Sequence, residues 1–99
     1  MQEKRIHPRV HVELDVIYAV KGGGAEVSGH ASDVSMGGMF IQSDHSPAFG
    51  TELSIRARIG GTEVVLPAIV RWTRSGGFGV QFGLLGAKET HLIVGLFKS

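Results

Sequence analysis

From Val10 onward the chain alternates apolar and polar residues, with Val10, Val12, Leu14, Val16, Tyr18 and Val20 on one side. His11, Glu13, Asp15 and Ile17 take the other. A period of two is that of a half-buried strand. Residues 21–24 then read as a hairpin loop, and residues 25–31 return as a second strand, short and interrupted by Gly29. Residues 39–43 form a third. After a longer loop at 44–50, Leu53, Ile55, Ala57 and Ile59 alternate with Ser54, Arg56 and Arg58 as a fourth. Residues 63–74 make a fifth, apolar through most of its middle, in which Pro67 predicts an edge position or a bulge because it has no N–H to give. Residues 78–82 make a sixth. The period then changes: Leu92, Ile93, Leu96 and Phe97 form the stripe of an amphipathic helix over about 87–98. Gly95 within it costs about 1 kcal/mol relative to Ala, which packing against a barrel mouth offsets.

Six strands with short turns predict a mainly β fold, a small six-stranded antiparallel β-barrel, closed or nearly so, with a C-terminal α-helix. Closure is favoured because it removes exposed edges. Composition supports this picture: the fifteen glycines group as Gly22-Gly23-Gly24, Gly37-Gly38, Gly60-Gly61 and Gly76-Gly77, the punctuation of a chain of short hairpins. At 99 residues the chain is one domain with a single modest core. A net charge of +1 is too small for a general nucleic-acid or membrane surface, so any basic function must come from local clustering. No cysteine is present, which excludes disulfides and thiolate metal sites. No apolar run approaches the roughly 20 residues of a membrane span, and residues 1–5 lack the apolar stretch of a signal peptide. A cytoplasmic protein without membrane insertion is expected.

Candidate chemistry concentrates in two places. The first is Asp33-Val34-Ser35-Met36-Gly37-Gly38, between the second and third strands. Two adjacent glycines at a strand junction predict a tight turn or bulge with positive φ. Asp33 and Ser35, two apart in extended chain, leave the same face. A carboxylate and a hydroxyl then form a polar socket beside a corner free of side chains. The ordinary alternative is an Asx turn in which Asp33 bonds the backbone near Met36 or Gly37. On the local sequence alone that turn is the favoured reading.

The second is residues 1–9, a polar segment with Lys4, Arg5 and Arg9, in which Pro8 prevents a continuous helix. It reads as a flexible arm leading into a domain over 10–99. A solvated basic terminus is the bland alternative. The arm runs directly into the first strand, however, and that strand can carry Arg9 toward the 33–38 corner.

Arg5-x-x-x-Arg9 followed by Asp33-x-Ser35-x-x-Gly38 resembles the PilZ domain family, bacterial receptors for cyclic di-GMP. Val70-Arg71-Trp72, Gly79-Val80-Gln81-Phe82 and the closing helix extend the likeness over nearly the whole chain. The resemblance implies a PilZ-like split barrel and a ligand site made of Arg5, Arg9, Asp33, Ser35 and Gly38. Cyclic di-GMP carries two guanines and two phosphodiesters. Arginine reads the guanine O6/N7 edge bidentately and forks onto phosphate. Asp33 suits the N1–H and N2 donors, Ser35 adds a hydrogen bond, and Gly38 lets the ligand approach the backbone. Lys4, just before the arginine motif, leaves one ligand or a stacked pair open. The expected function is a receptor, not an enzyme, whose arm orders on binding and signals to a downstream protein partner in motility or exopolysaccharide regulation.

Other chemistries fit less well. His7 and His11 would stand about 13 Å apart in a strand, too far to share a metal. A hydrolase built on Ser35 would need a positioned base, and His30 lies across an apparent strand from it. No catalytic residue, metal or resident cofactor is expected. Trp72 and Phe82 are assigned to the core, although a strand tryptophan near the ligand is compatible with such a barrel. The rival functions are a PilZ-like adaptor without nucleotide binding and a small barrel for single-stranded nucleic acid. The near-neutral charge and few aromatics disfavour the latter.

Overall fold

The computed structural model describes residues 9–97. Its elements are β1 (Val10–Val20), β2 (Val27–Ser35), β3 (Gly38–Gln42), β4 (Glu52–Ile59), β5 (Thr62–Arg74), β6 (Gly77–Phe82) and α1 (Ala87–Gly95). All strand pairs are antiparallel, and the strands close in the order β1-β2-β3-β6-β5-β4. The mainly β barrel with a closing helix is the architecture the alternation predicts.

Closure between β1 and β4 is only partial. Val16–Val20 pairs with residues 53–57, while the first half of β1 pairs with β2 alone. The interior is filled by the inward-facing residues of every strand, and alternate positions of β4 and β5 are buried along most of their lengths. Tyr18 and Phe78 meet edge-on inside, with ring centroids 5.1 Å apart. Helix α1 packs on this core through Ile93, which is fully buried, with Leu92, Leu96 and Phe97 partly buried around it.

Pro67 sits within β5, opposite Ser54, and not at an edge of the sheet as a whole. Its carbonyl accepts from the Gly83 N–H at 2.7 Å, on the β6 side. A strand residue points its N–H and C=O to the same side, so the missing N–H faces a place where β6 has already ended at Phe82. Pro67 thus occupies a local edge, where no ladder bond is lost.

Three register shifts interrupt the ladders; one lies in β1 between His11 and Leu14, and the other two set the direction of side chains at the cleft. In β2, Ala31 pairs with Ile41 and Asp33 with Phe40, leaving Ser32 unpaired to β3. In β5, Val70 pairs with Val80 and Trp72 with Gly79, leaving Arg71 extra. One added residue reverses which face every later side chain takes. Ala31 and Val34, three apart, are therefore both fully buried. Trp72 is turned outward and is 40% exposed, which corrects its assignment to the core; Phe82, at 7%, is in it.

Candidate functional site

The hairpin between β2 and β3 is shorter than the sequence pattern implies. β2 runs on through Asp33 to Ser35, and only Met36 and Gly37 form the turn. Neither Gly37 nor Gly38 adopts positive φ, contrary to the expectation for this glycine pair. The need for Gly38 is steric. Its Cα lies so close to β6 that a Cβ would overlap the Val80 carbonyl oxygen and come within 3.2 Å of the Gln81 Cα. The side-chain turn is made by Ser35 and not by Asp33. The Gly37 N–H donates to Ser35 Oγ at 3.2 Å, and Ser35 Oγ donates weakly to the Gly38 carbonyl at 3.5 Å. Phe82 N–H donates to the Gly37 carbonyl at 2.8 Å, fastening the turn to the end of β6.

Beside this turn lies a cleft of about 750 Å3. Its floor is the backbone of residues 35–39 and the end of β6. Its walls include Arg9 on one side and Arg71 with Trp72 on the other, and Leu84, Leu85 and Thr90 close it toward the helix. Arg9 precedes Val10, which pairs with Val34, so strand pairing delivers it to the Ser35 turn. Among the described residues no carboxylate lines the cleft, and its only charged groups are the two arginines. Two guanidinium groups with no carboxylate among the described lining residues, against a half-apolar wall, favour a ligand that is both anionic and aromatic.

Of the residues singled out in the sequence, Arg9, Ser35 and Gly38 line this one cleft. Asp33 does not; it sits on the outer face of β2, two residues from Ser35, between His11 of β1 and Phe40 of β3. Arg5 and Lys4 lie outside the described residues. The pattern reading missed Arg71 and Gln81 as cleft residues. Arg71 Nε donates to Gln81 Oε1 at 2.8 Å. Their presence in the Val-Arg-Trp and Gly-Val-Gln-Phe runs was the available signal, but their direction depends on the β5 bulge.

Trp72 belongs to an outer aromatic layer. Its indole stacks on the Phe40 ring at 5.3 Å, and the Arg74 guanidinium lies 4.5 Å from the Phe40 centroid and 5.4 Å from that of Trp72. The rings rest on Gly77 and Gly79, which is why Gly77 to Val80 are buried without interruption.

The imidazole of His30 is held by carboxylates away from the cleft. Nδ1 meets Asp15 Oδ1 at 3.1 Å and Nε2 meets Glu13 Oε1 at 2.8 Å. The Asp15 hydrogen bond, then that from Glu13, raise the His30 pKa above its ordinary value. His30, then His11, lower that of Glu13. His30 is therefore not a base placed against Ser35. Among the described residues no group of three or more His, Cys, Asp or Glu could hold a metal ion, and no helix is long and apolar enough to cross a membrane.

The chain matches the family model of the PilZ domain over residues 3–98 and belongs to that family. No curated protein matches it in sequence. Among solved structures it is similar to the PilZ domain of CeSA from a cellulose-synthesizing bacterium, at 23% identity and a TM-score of 0.74, covering 90% of this chain and 93% of that one. The PilZ domain of YcgR from Escherichia coli, solved with c-di-GMP, superposes with a TM-score of 0.79 at 10% identity, covering 95% and 88%. The Bacillus subtilis inhibitor of motility, MotI/DgrA, gives 0.78 at 17%, with 98% of this chain on 51% of that one. These likenesses are likenesses of fold.

Proposed function

We propose that this protein is a cyclic di-GMP receptor that holds the dinucleotide in the cleft between Arg9 and Trp72. The observation that carries this reading is the cleft's charge and placement. Among the described residues two arginines and no carboxylate line it, and it lies where the end of the R-x-x-x-R motif meets the Ser35–Gly38 turn. Membership in the PilZ family and the presence of c-di-GMP with the YcgR domain support the same ligand. Trp72 offers a guanine the exposed face of its ring, and Arg9 offers a fork for phosphate or for the O6/N7 edge. Arg5 adds a second fork from the preceding segment. Asp33 meets the donor edge of a guanine that reaches past the cleft rim.

Binding across residues 1–9 and the barrel changes the conformation of that segment and so the surface shown to a partner protein. On this reading the site binds and releases its ligand as a receptor does. The reading places the protein in the cytoplasm, where it controls a downstream protein in motility or exopolysaccharide production.

Titration calorimetry with cyclic di-GMP tests it. Binding in the micromolar range, about −8 kcal/mol, is expected, with Arg9→Ala weakening it by about tenfold or more. Absence of heat with the wild-type protein overturns the reading. A single-stranded oligonucleotide that bound more tightly, with steep salt dependence, would favour the nucleic-acid alternative instead.

A further inference from the structure

Arg71 is presented differently from Arg9. It is the extra residue of the β5 bulge, pushed out of the ladder between Val70 and Trp72. Its Nε is occupied by Gln81 Oε1 at 2.8 Å, and among the described residues it makes no ion pair. Fixing Nε leaves the two terminal nitrogens as an end-on fork whose direction is set by the neighbouring strand. Gln81 is itself well placed to do this. It pairs with Gly38 on one side and Ile69 on the other, so the ladders on both sides fix its backbone.

The two cleft arginines come from different strands. Arg9 leads into β1 and Arg71 lies on β5, with β2, β3 and β6 between them in strand order. Both side chains line the same cleft, one from each flank of its floor. A ligand with one anionic group satisfies one end of such a cleft and leaves the other cation unpaired. A ligand with two anionic groups satisfies both.

Resting on the receptor reading, we propose that Arg71, oriented by Gln81, is a ligand-binding residue that clamps the second phosphodiester of the dinucleotide, opposite the arginine motif. The cleft is then a two-ended anion clamp, and a ligand with a single phosphate leaves one of its two guanidinium groups unpaired. The Arg71–Gln81 bond lowers the ordering cost of the fork before the ligand arrives.

The test is calorimetry on the full chain with cyclic di-GMP at low and high salt, using wild type, Arg71→Gln, Arg71→Lys and Gln81→Leu. Arg71→Gln is expected to weaken binding by about tenfold or more and to reduce its salt dependence, because one charge pair is gone. Arg71→Lys keeps the charge without the fork and falls between. Gln81→Leu weakens binding by a smaller factor while retaining the salt dependence, since only the orientation is lost. Melting temperatures without ligand stay close to wild type, because the Arg71 side chain is exposed. If wild type binds and Arg71→Gln binds equally well, the clamp is wrong and the receptor reading stands. If Arg71→Gln instead erases the preference for the guanine over the adenine cyclic dinucleotide, Arg71 reads a base edge and the phosphate assignment falls. If wild type gives no heat, the receptor reading and the clamp fall together.

Discussion

The rings of Phe40 and Trp72 lie 15° from parallel, with centroids 5.3 Å apart, on the outside of the barrel. Phe40 is nearly buried there, at 5% exposure, although it faces away from the core. Glycine makes this possible. A Cβ on Gly79 would run into the Trp72 indole, and one on Gly77 would run into the Phe40 ring and approach the Ile41 carbonyl oxygen at 2.5 Å. The outer layer matters for the cleft because it holds the indole that forms one wall.

The two glycines make different predictions. At Gly79 the obstacle is a partly exposed side chain that can swing aside, so Gly79→Ala should cost little stability and displace the indole. The protein has a single tryptophan, so its emission reports that displacement directly. At Gly77 part of the obstacle is backbone, and Gly77→Ala should cost on the order of 1–3 kcal/mol. Denaturant melts of both variants, read beside tryptophan emission, check the contrast. Equal costs at the two positions would contradict it.

Gly38 stands in a motif whose resemblance assigns it to the ligand, yet its surroundings are those of a strand contact. Gly38→Ala is expected to lower stability by about 3 kcal/mol in the absence of any ligand, since the Val80 backbone cannot move away cheaply. A variant that melts like wild type but fails to bind would return Gly38 to a purely ligand-facing role.

Asp33 separates two versions of the binding mode. If a guanine extends past the cleft rim to the outer face of β2, Asp33→Ala should weaken titrated binding by more than about tenfold. If Arg9→Ala weakens binding and Asp33→Ala leaves it unchanged, the ligand stays within the lining residues and Asp33 is not a contact.

The His30 cluster predicts a pH signature. Its hydrogen bonds to Asp15 and then Glu13 raise the folded-state pKa above the ordinary 6.5. Its contribution is therefore complete below that value and is lost as pH rises through the folded pKa. Glu13 is held below its ordinary 4.5 by His30 and then His11, so its contribution is present above that value and lost as pH falls through the lowered pKa. Both act fully between the two ordinary values. Wild type should out-melt His30→Gln most near about pH 5.5, with the difference shrinking toward pH 8 and again in acid. These groups are exposed, so the difference is small. A difference that grows with pH would contradict the assignment.

The strand pattern, the turn positions and the helix were legible because they depend on nearest neighbours in the chain. Apolar residues two apart mark one face of a strand, glycine doublets mark turns, and an i, i+1, i+4, i+5 stripe marks a helix face. Two motifs at the right separation made the family legible as well. The direction of the key side chains was not. Counting in twos from Ala31 sends Asp33 and Ser35 into the core, and counting from Val70 does the same to Trp72.

By itself, then, the amino-acid order determined that this chain would close into a barrel, and which segments would form it. Only the tertiary structure decided which way the cleft residues point. The unpaired residues Ser32 and Arg71 exist because the neighbouring strands impose their own hydrogen-bond registers. A register belongs to two strands at once, so one strand's alternation cannot contain it. Each bulge reverses the faces beyond it, turning Ser35 and Trp72 out of the core and onto the cleft.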